Sequence, residues 1–94
     1  MLKAMFGIVL EQFDRNMLEA VEAERPVDSL SLTFEQLKRA GAIVVRPRFR
    51  NKWPFLCFKP RLTSIGEEML YICHNYNKGS DRWFIGSDTL PWLR

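Results

Sequence analysis

The first apolar pattern along the chain has helical spacing. Phe6, Val9, Leu10, Phe13, Met17, Ala20 and Val21 recur at steps of three and four and form one stripe, with Glu11, Gln12, Arg15, Glu19 and Glu22 on the other side. This predicts a long N-terminal helix. Pro26 ends it, because the residue before a proline is pushed out of the helical region. Residues 25–32 read as a connector. Thr33 and Gln36 then have the spacing of a capping box, Leu32 and Leu37 that of a hydrophobic staple, and Gly41 is a natural C-terminal stop. A short helix is expected over residues 34–40, with Phe34 and Leu37 inward and Lys38 and Arg39 outward.

The period then changes from helical to two. Residues 42–45 are apolar and β-branched, after which Arg46, Arg48 and Arg50 alternate with Pro47 and Phe49, so the three arginines share one strand face. Residues 51–54 read as a turn. Residues 55–62 return, with Leu56 and Phe58 on one face and Cys57, Lys59 and Arg61 on the other. Pro47 and Pro60 cannot donate to a ladder, which marks the hairpin as an edge or a protruding ribbon. A third helix follows, capped by Thr63 or Ser64, with Ser64 and Glu67 at capping-box spacing and Ile65, Met69, Ile72, Cys73 and Tyr76 as its stripe; residues 77–79 end it. The tail, residues 80–94, carries Trp83, Phe84, Ile85, Leu90, Trp92 and Leu93. That much aromatic surface either packs back on the core, with a short strand at residues 82–85, or forms a partner-binding surface. The fold class implied is α+β, in one domain spanning residues 1–94.

Composition narrows the function classes. With 94 residues, 47% hydrophobic and 13% aromatic, the chain can bury one modest core and lacks the profile of a disordered segment. Its longest apolar stretches, around residues 6–10 and 40–45, are too short to span a bilayer, and no cleavable leader is evident, so a cytoplasmic location is expected. Two cysteines and one histidine do not make a zinc site, and no cofactor or metal is expected. Cys57 reads as a small buried hydrophobe. Cys73 and His74 are adjacent on a helix and so point about 100° apart, which is no catalytic pair; His74 is expected at the surface or its boundary. No phosphate-binding loop, nucleophile elbow or carboxylate pair occurs, and a non-enzymatic protein is expected.

Charge changes the picture most. The formal net charge is only +3. Residues 1–35 hold seven acids and three bases, whereas residues 36–66 hold eight bases and no acid; residues 67–94 come to −1. Segregation of this kind makes a local field that attracts polyanions, and the acidic face of the first helix would repel them and orient the domain. The candidate nucleic-acid contacts are Lys38, Arg39, Arg46, Arg48, Arg50, Lys52, Trp53, Lys59 and Arg61. Arginine offers a planar fork of donors to phosphate oxygens and guanine edges. Trp53 and Phe55 either stack on bases or fold under the hairpin as core, the reading favoured for Phe55, Leu56 and Phe58. Arg46, nearer the buried end, has Glu35 or an acid of the first helix as an alternative partner.

Leu37 to Val44, the basic hairpin, and the run from Arg61 to Leu70 (RLTSIGEEML) together resemble the back half of winged-helix transcription regulators, above all the MarR-like and PadR-like groups. There a helix ending in L-x-x-x-G leads into a two-stranded wing whose second strand runs into L-T-x-x-G. The resemblance covers about residues 37–73; the helix-turn-helix ahead of it is shortened. It implies a winged-helix-like domain and a transcriptional regulator that contacts duplex DNA through its wing, with a homodimer built by the first helix and the tail. The alternative is a protein-binding inhibitor or adaptor, of the compact kind that phages and mobile elements encode, using Trp83, Phe84 and Trp92.

Overall fold

The computed structural model describes residues 1–4, 6–50, 53–76 and 78–86, with the side chains of Leu2, Ala4 and residues 46–50 and 53–58 outside that description. It is an α+β fold. The order is β1 (Leu2–Ala4), β2 (Gly7–Glu11), α1 (Gln12–Glu22), α2 (Leu32–Arg39), β3 (Ile43–Arg50), β4 (Trp53–Leu62), α3 (Ser64–Asn75) and β5 (Arg82–Gly86). Two antiparallel sheets result: β1-β2-β5, and the separate hairpin β3-β4.

The expected long first helix is divided. Residues 7–11 form a strand between β1 and β5, and α1 has only 11 residues. Ile8 and Leu10 are both buried with Val9 half-buried between them, so period two governs this stretch, and Phe6, expected in the helical stripe, lies outside the strand and is 70% exposed. Gly7 is part of the reason. A Cβ there would lie 2.0 Å from the Ile85 carbonyl oxygen, so only glycine lets β2 and β5 approach at that point. The chain becomes helical at a reciprocal cap, with the Glu11 side chain facing the backbone of Asp14 and the Asp14 carboxylate accepting from Glu11 N–H at 2.9 Å. Asp14 is fully buried and also lies 3.0 Å from the Met1 amino group, which reaches Gln36 Oε1 at 3.2 Å. The helix buries Asp14, Leu18 and Val21; Phe13, expected in the stripe, is exposed. It ends before Pro26 can act. Glu24 N–H bonds to Val21 and Arg25 N–H to Ala20, with Glu24 at φ +58° in the left-handed position usually given to glycine.

The second helix starts two residues earlier than expected. Its cap is Ser31, whose hydroxyl accepts from Phe34 N–H at 3.2 Å. Leu32 is exposed and makes no staple with the buried Leu37. The stop at Gly41 holds: φ is +82°, and Gly41 and Ala42 N–H bond to Lys38 and Leu37 carbonyls. The hairpin spans the expected residues with Ile43 opposite Leu62, but the ladder continues to Arg50 opposite Trp53, so Trp53 and Pro54 belong to β4 and not to a turn. Thr63 caps α3, accepting from Gly66 N–H at 3.2 Å and donating to the Gly41 carbonyl, while its own N–H bonds to Ala42. The end of α2, the base of the hairpin and the start of α3 therefore meet at one residue.

The core consists of Ile8, Leu10, Leu18, Val21, Phe34, Leu37, Ile43, Met69, Leu70, Trp83 and Ile85 with smaller neighbours. β5 appears where the tail was expected to return. Leu90 and Trp92 lie outside the described residues. Among those described, no helix is long and apolar enough to cross a membrane.

Candidate nucleic-acid interface

The hairpin register sorts its residues by chemistry. Ile43, Val45, Pro47 and Phe49 of β3 stand opposite Leu62, Pro60, Phe58 and Leu56 of β4, one apolar set. The other set pairs Val44 with Arg61, Arg46 with Lys59 and Arg48 with Cys57, and Arg50 follows after an irregularity at Phe49/Arg50. Five basic positions thus share one face of a two-stranded ribbon. Where side chains are described they agree with this division: Ile43 is buried, Val45 and Leu62 pack on the core, and Arg61 is exposed. An eight-residue strand is ~26 Å long, so the face is long enough to follow several phosphates. Like charges directly opposite, as at Arg46 and Lys59, disfavour the hairpin unless counter-charges lie nearby.

Such counter-charges lie at its base. Lys59 Nζ is 2.7 Å from Glu24 Oε1, and Arg61 lines a pocket of about 260 Å³ together with Glu22, Glu24 and Glu67. Neither acid group was anticipated from the charge pattern, since it depends on α1 packing across β4. The helical pair divides as well. Arg39 Nε bonds Glu35 Oε1 at 3.0 Å across one turn, while Lys38 is exposed with no ion-pair partner among the described residues. Glu35, considered for Arg46, is thus engaged by Arg39. The side chains of Arg46, Arg48, Arg50 and Trp53, and Lys52 as a whole, lie outside the described residues; their backbone places the three arginines on β3 and Trp53 at the start of β4.

A second polar cluster sits away from the hairpin. His74 Nε2 is 2.9 Å from Glu19 Oε1, and Arg15 Nε is 2.8 Å from the same oxygen. These hydrogen bonds, first from His74 and then from Arg15, hold the Glu19 carboxyl below its ordinary range. The Arg15 guanidinium also lies 5.6 Å from the Trp83 ring centroid. Trp83 is buried and donates Nε1–H to the Tyr76 carbonyl at 3.0 Å, so most of its indole belongs to the core. Burial pushes the Cys73 thiol up to about 11. Among the described residues no group of three histidine, cysteine or acidic side chains is placed to hold a metal. Comparison with protein-family models, curated proteins and solved structures finds no match to the chain.

Proposed function

We propose that this is a small, non-enzymatic DNA-binding protein of the winged-helix kind, acting in transcriptional regulation, whose hairpin β3-β4 is the wing that contacts duplex DNA. One observation carries the reading: the register collects Arg46, Arg48, Arg50, Lys59 and Arg61 on one face of a ribbon, within a stretch that contains no acid. The order of α2, hairpin and α3, joined at Thr63, supports the likeness to a wing and its following helix. With Lys59 paired to Glu24 and Arg61 close to acids at the hairpin base, the working contacts are Arg46, Arg48, Arg50 and Lys52, together with Lys38.

The test is a salt titration of binding to random-sequence duplex and single-stranded oligonucleotides. Four phosphate contacts on duplex give a slope of log K against log salt of roughly −3 to −4. An Arg48→Glu, Arg50→Glu double variant flattens that slope by about 2 and weakens binding more than roughly tenfold at low salt. Equal binding by parent and variant, or a salt-independent parent, overturns the proposal. A second reading, a protein-binding adaptor, is favoured by a different observation: Phe84 stands exposed beside Tyr71 and Tyr76 at the open edge of the three-stranded sheet.

A further inference from the structure

The backbone at the far side of β5 is set up to accept another strand. Glu11 N–H is taken by Asp14 Oδ2 at 2.9 Å, and Arg82 N–H and C=O both engage the Ser80 hydroxyl, at 3.2 and 3.0 Å. The pair Glu11–Arg82 therefore exchanges no ladder bonds. Antiparallel pairs alternate, so Leu10–Trp83 and Ile8–Ile85 are the bonded pairs, and Val9 faces β1. On β5 this turns Phe84 N–H and C=O, and Gly86 N–H, away from the sheet. No backbone partner meets them among the described residues, and Ser80 blocks the Arg82 end.

A groove of about 390 Å³ lies beside this edge, lined by Glu68, Tyr71, Ile72, Tyr76, Trp83 and Phe84. Trp83 and Phe84 are successive strand residues whose side chains leave opposite faces, so a groove touching both runs along the edge itself. Tyr71, Tyr76 and Phe84 are 55%, 57% and 53% exposed, and the two tyrosine rings stand 6.4 Å apart, inclined by 68°. Glu68 adds a carboxylate.

We propose that the β5 edge and this groove are a docking site for an extended, arginine-bearing peptide of a partner protein. The edge offers main-chain hydrogen bonds to an extended backbone. The rings suit the aliphatic stem and planar head of arginine, and Glu68 supplies the opposite charge. Glu68 is exposed, so a purely apolar side chain would gain nothing from its carboxylate, whereas a guanidinium would be attracted to it. The inference extends the adaptor reading and is independent of DNA binding.

The test uses the full isotope-labelled chain and a capped pentapeptide, threonine–valine–arginine–valine–threonine, with norleucine in place of arginine as control. In the free chain the Phe84 amide exchanges fast while those of Trp83 and Ile85 are slow. The arginine peptide slows Phe84 exchange roughly tenfold or more and shifts Tyr71, Tyr76 and Phe84 resonances saturably. Norleucine in the peptide, or Glu68→Gln in the protein, weakens binding about three- to fivefold. A Phe84 amide already protected in the free chain overturns the proposal, as do shifts confined to the hairpin, no shifts at millimolar peptide, or equal binding of the norleucine control. None of these results bears on the oligonucleotide titration, so the two proposals fail separately.

Discussion

Gly66→Ala is the sharpest test of how the hairpin is anchored, because the structure reverses the sign that helix propensity alone would give. Gly66 is the third residue of α3, and its N–H bonds the capping Thr63 hydroxyl. Alanine in place of glycine inside an exposed helix stabilises by about 1 kcal/mol. Here a Cβ would stand 2.2 Å from the Ala42 carbonyl oxygen and 3.1 Å from its carbon, roughly 1 Å short of a tolerable approach. The obstacle is backbone, and the same oxygen accepts from Thr63 N–H at 3.0 Å. It cannot retreat without breaking that bond. Overpacking of this kind costs about 1–3 kcal/mol and the lost hydrogen bond about 1, which outweighs the propensity gain and leaves a net loss of about 1–3 kcal/mol. For a chain of this size that lowers Tm by about 5–20 °C. The assay is thermal and urea unfolding followed by circular dichroism, with Gly86→Ala as the control, since its Cβ would meet nothing nearer than 3.8 Å. A Gly66→Ala protein as stable as the parent, or more stable, refutes the tight joint between α3 and the base of β3.

Three further outcomes follow from the described contacts. Gly7→Ala, whose Cβ would press on the Ile85 carbonyl at 2.0 Å, separates β2 from β5 and destabilises by roughly 2 kcal/mol or more, read as a fall in the urea midpoint with Trp83 amide exchange accelerated. The Glu19 carboxyl is held below its ordinary value of 4.5, so its contribution is complete above that pH and is lost as pH falls through the lower folded value; Glu19→Gln is less stable than the parent at pH 6, and the gap closes on acidification, measured by urea midpoints. Cys73, buried and with its thiol raised to about 11, resists alkylation at pH 7.5 in the native chain and reacts only after denaturant is added, as peptide mapping by mass spectrometry would show.

Legibility in the sequence followed how local each signal was. The hairpin could be read because period-two alternation persists over many residues, and the Gly41 stop and the Thr63 cap because each acts within one turn. Phe6 to Leu10 is ambiguous for a different reason: over five residues an apolar run satisfies helical and strand periods alike, and pairing with Ile85 and Trp83, more than 70 positions away in sequence, makes the choice. The same distance hid the fate of Trp83, which as a lone aromatic in a tail looks like a binding residue and in the fold is core. At the candidate interface, the run of basic residues is visible in the sequence but the pairing of Lys59 with an acid is not. Glu24 reaches Lys59 only because α1 ends in a left-handed turn and lies across β4. Ser31 and Thr33 both have the chemistry of a cap, and only packing of Phe34 and Leu37 sets the helix start at Ser31.

The acids at the hairpin base have a consequence for approach to a polyanion. Glu22, Glu24 and Glu67 gather beside Arg61 and Glu24 pairs with Lys59, so acidic charge is concentrated at the base of the ribbon. Under the proposed function, a duplex would meet the arginines of β3 away from that base first and would be held at a standoff from the helices by the acidic collar. Removing the collar would make the molecule adhere more strongly and with less preference for one pose. These glutamates would then act as a depth stop, trading affinity for a fixed orientation of the ribbon on its target.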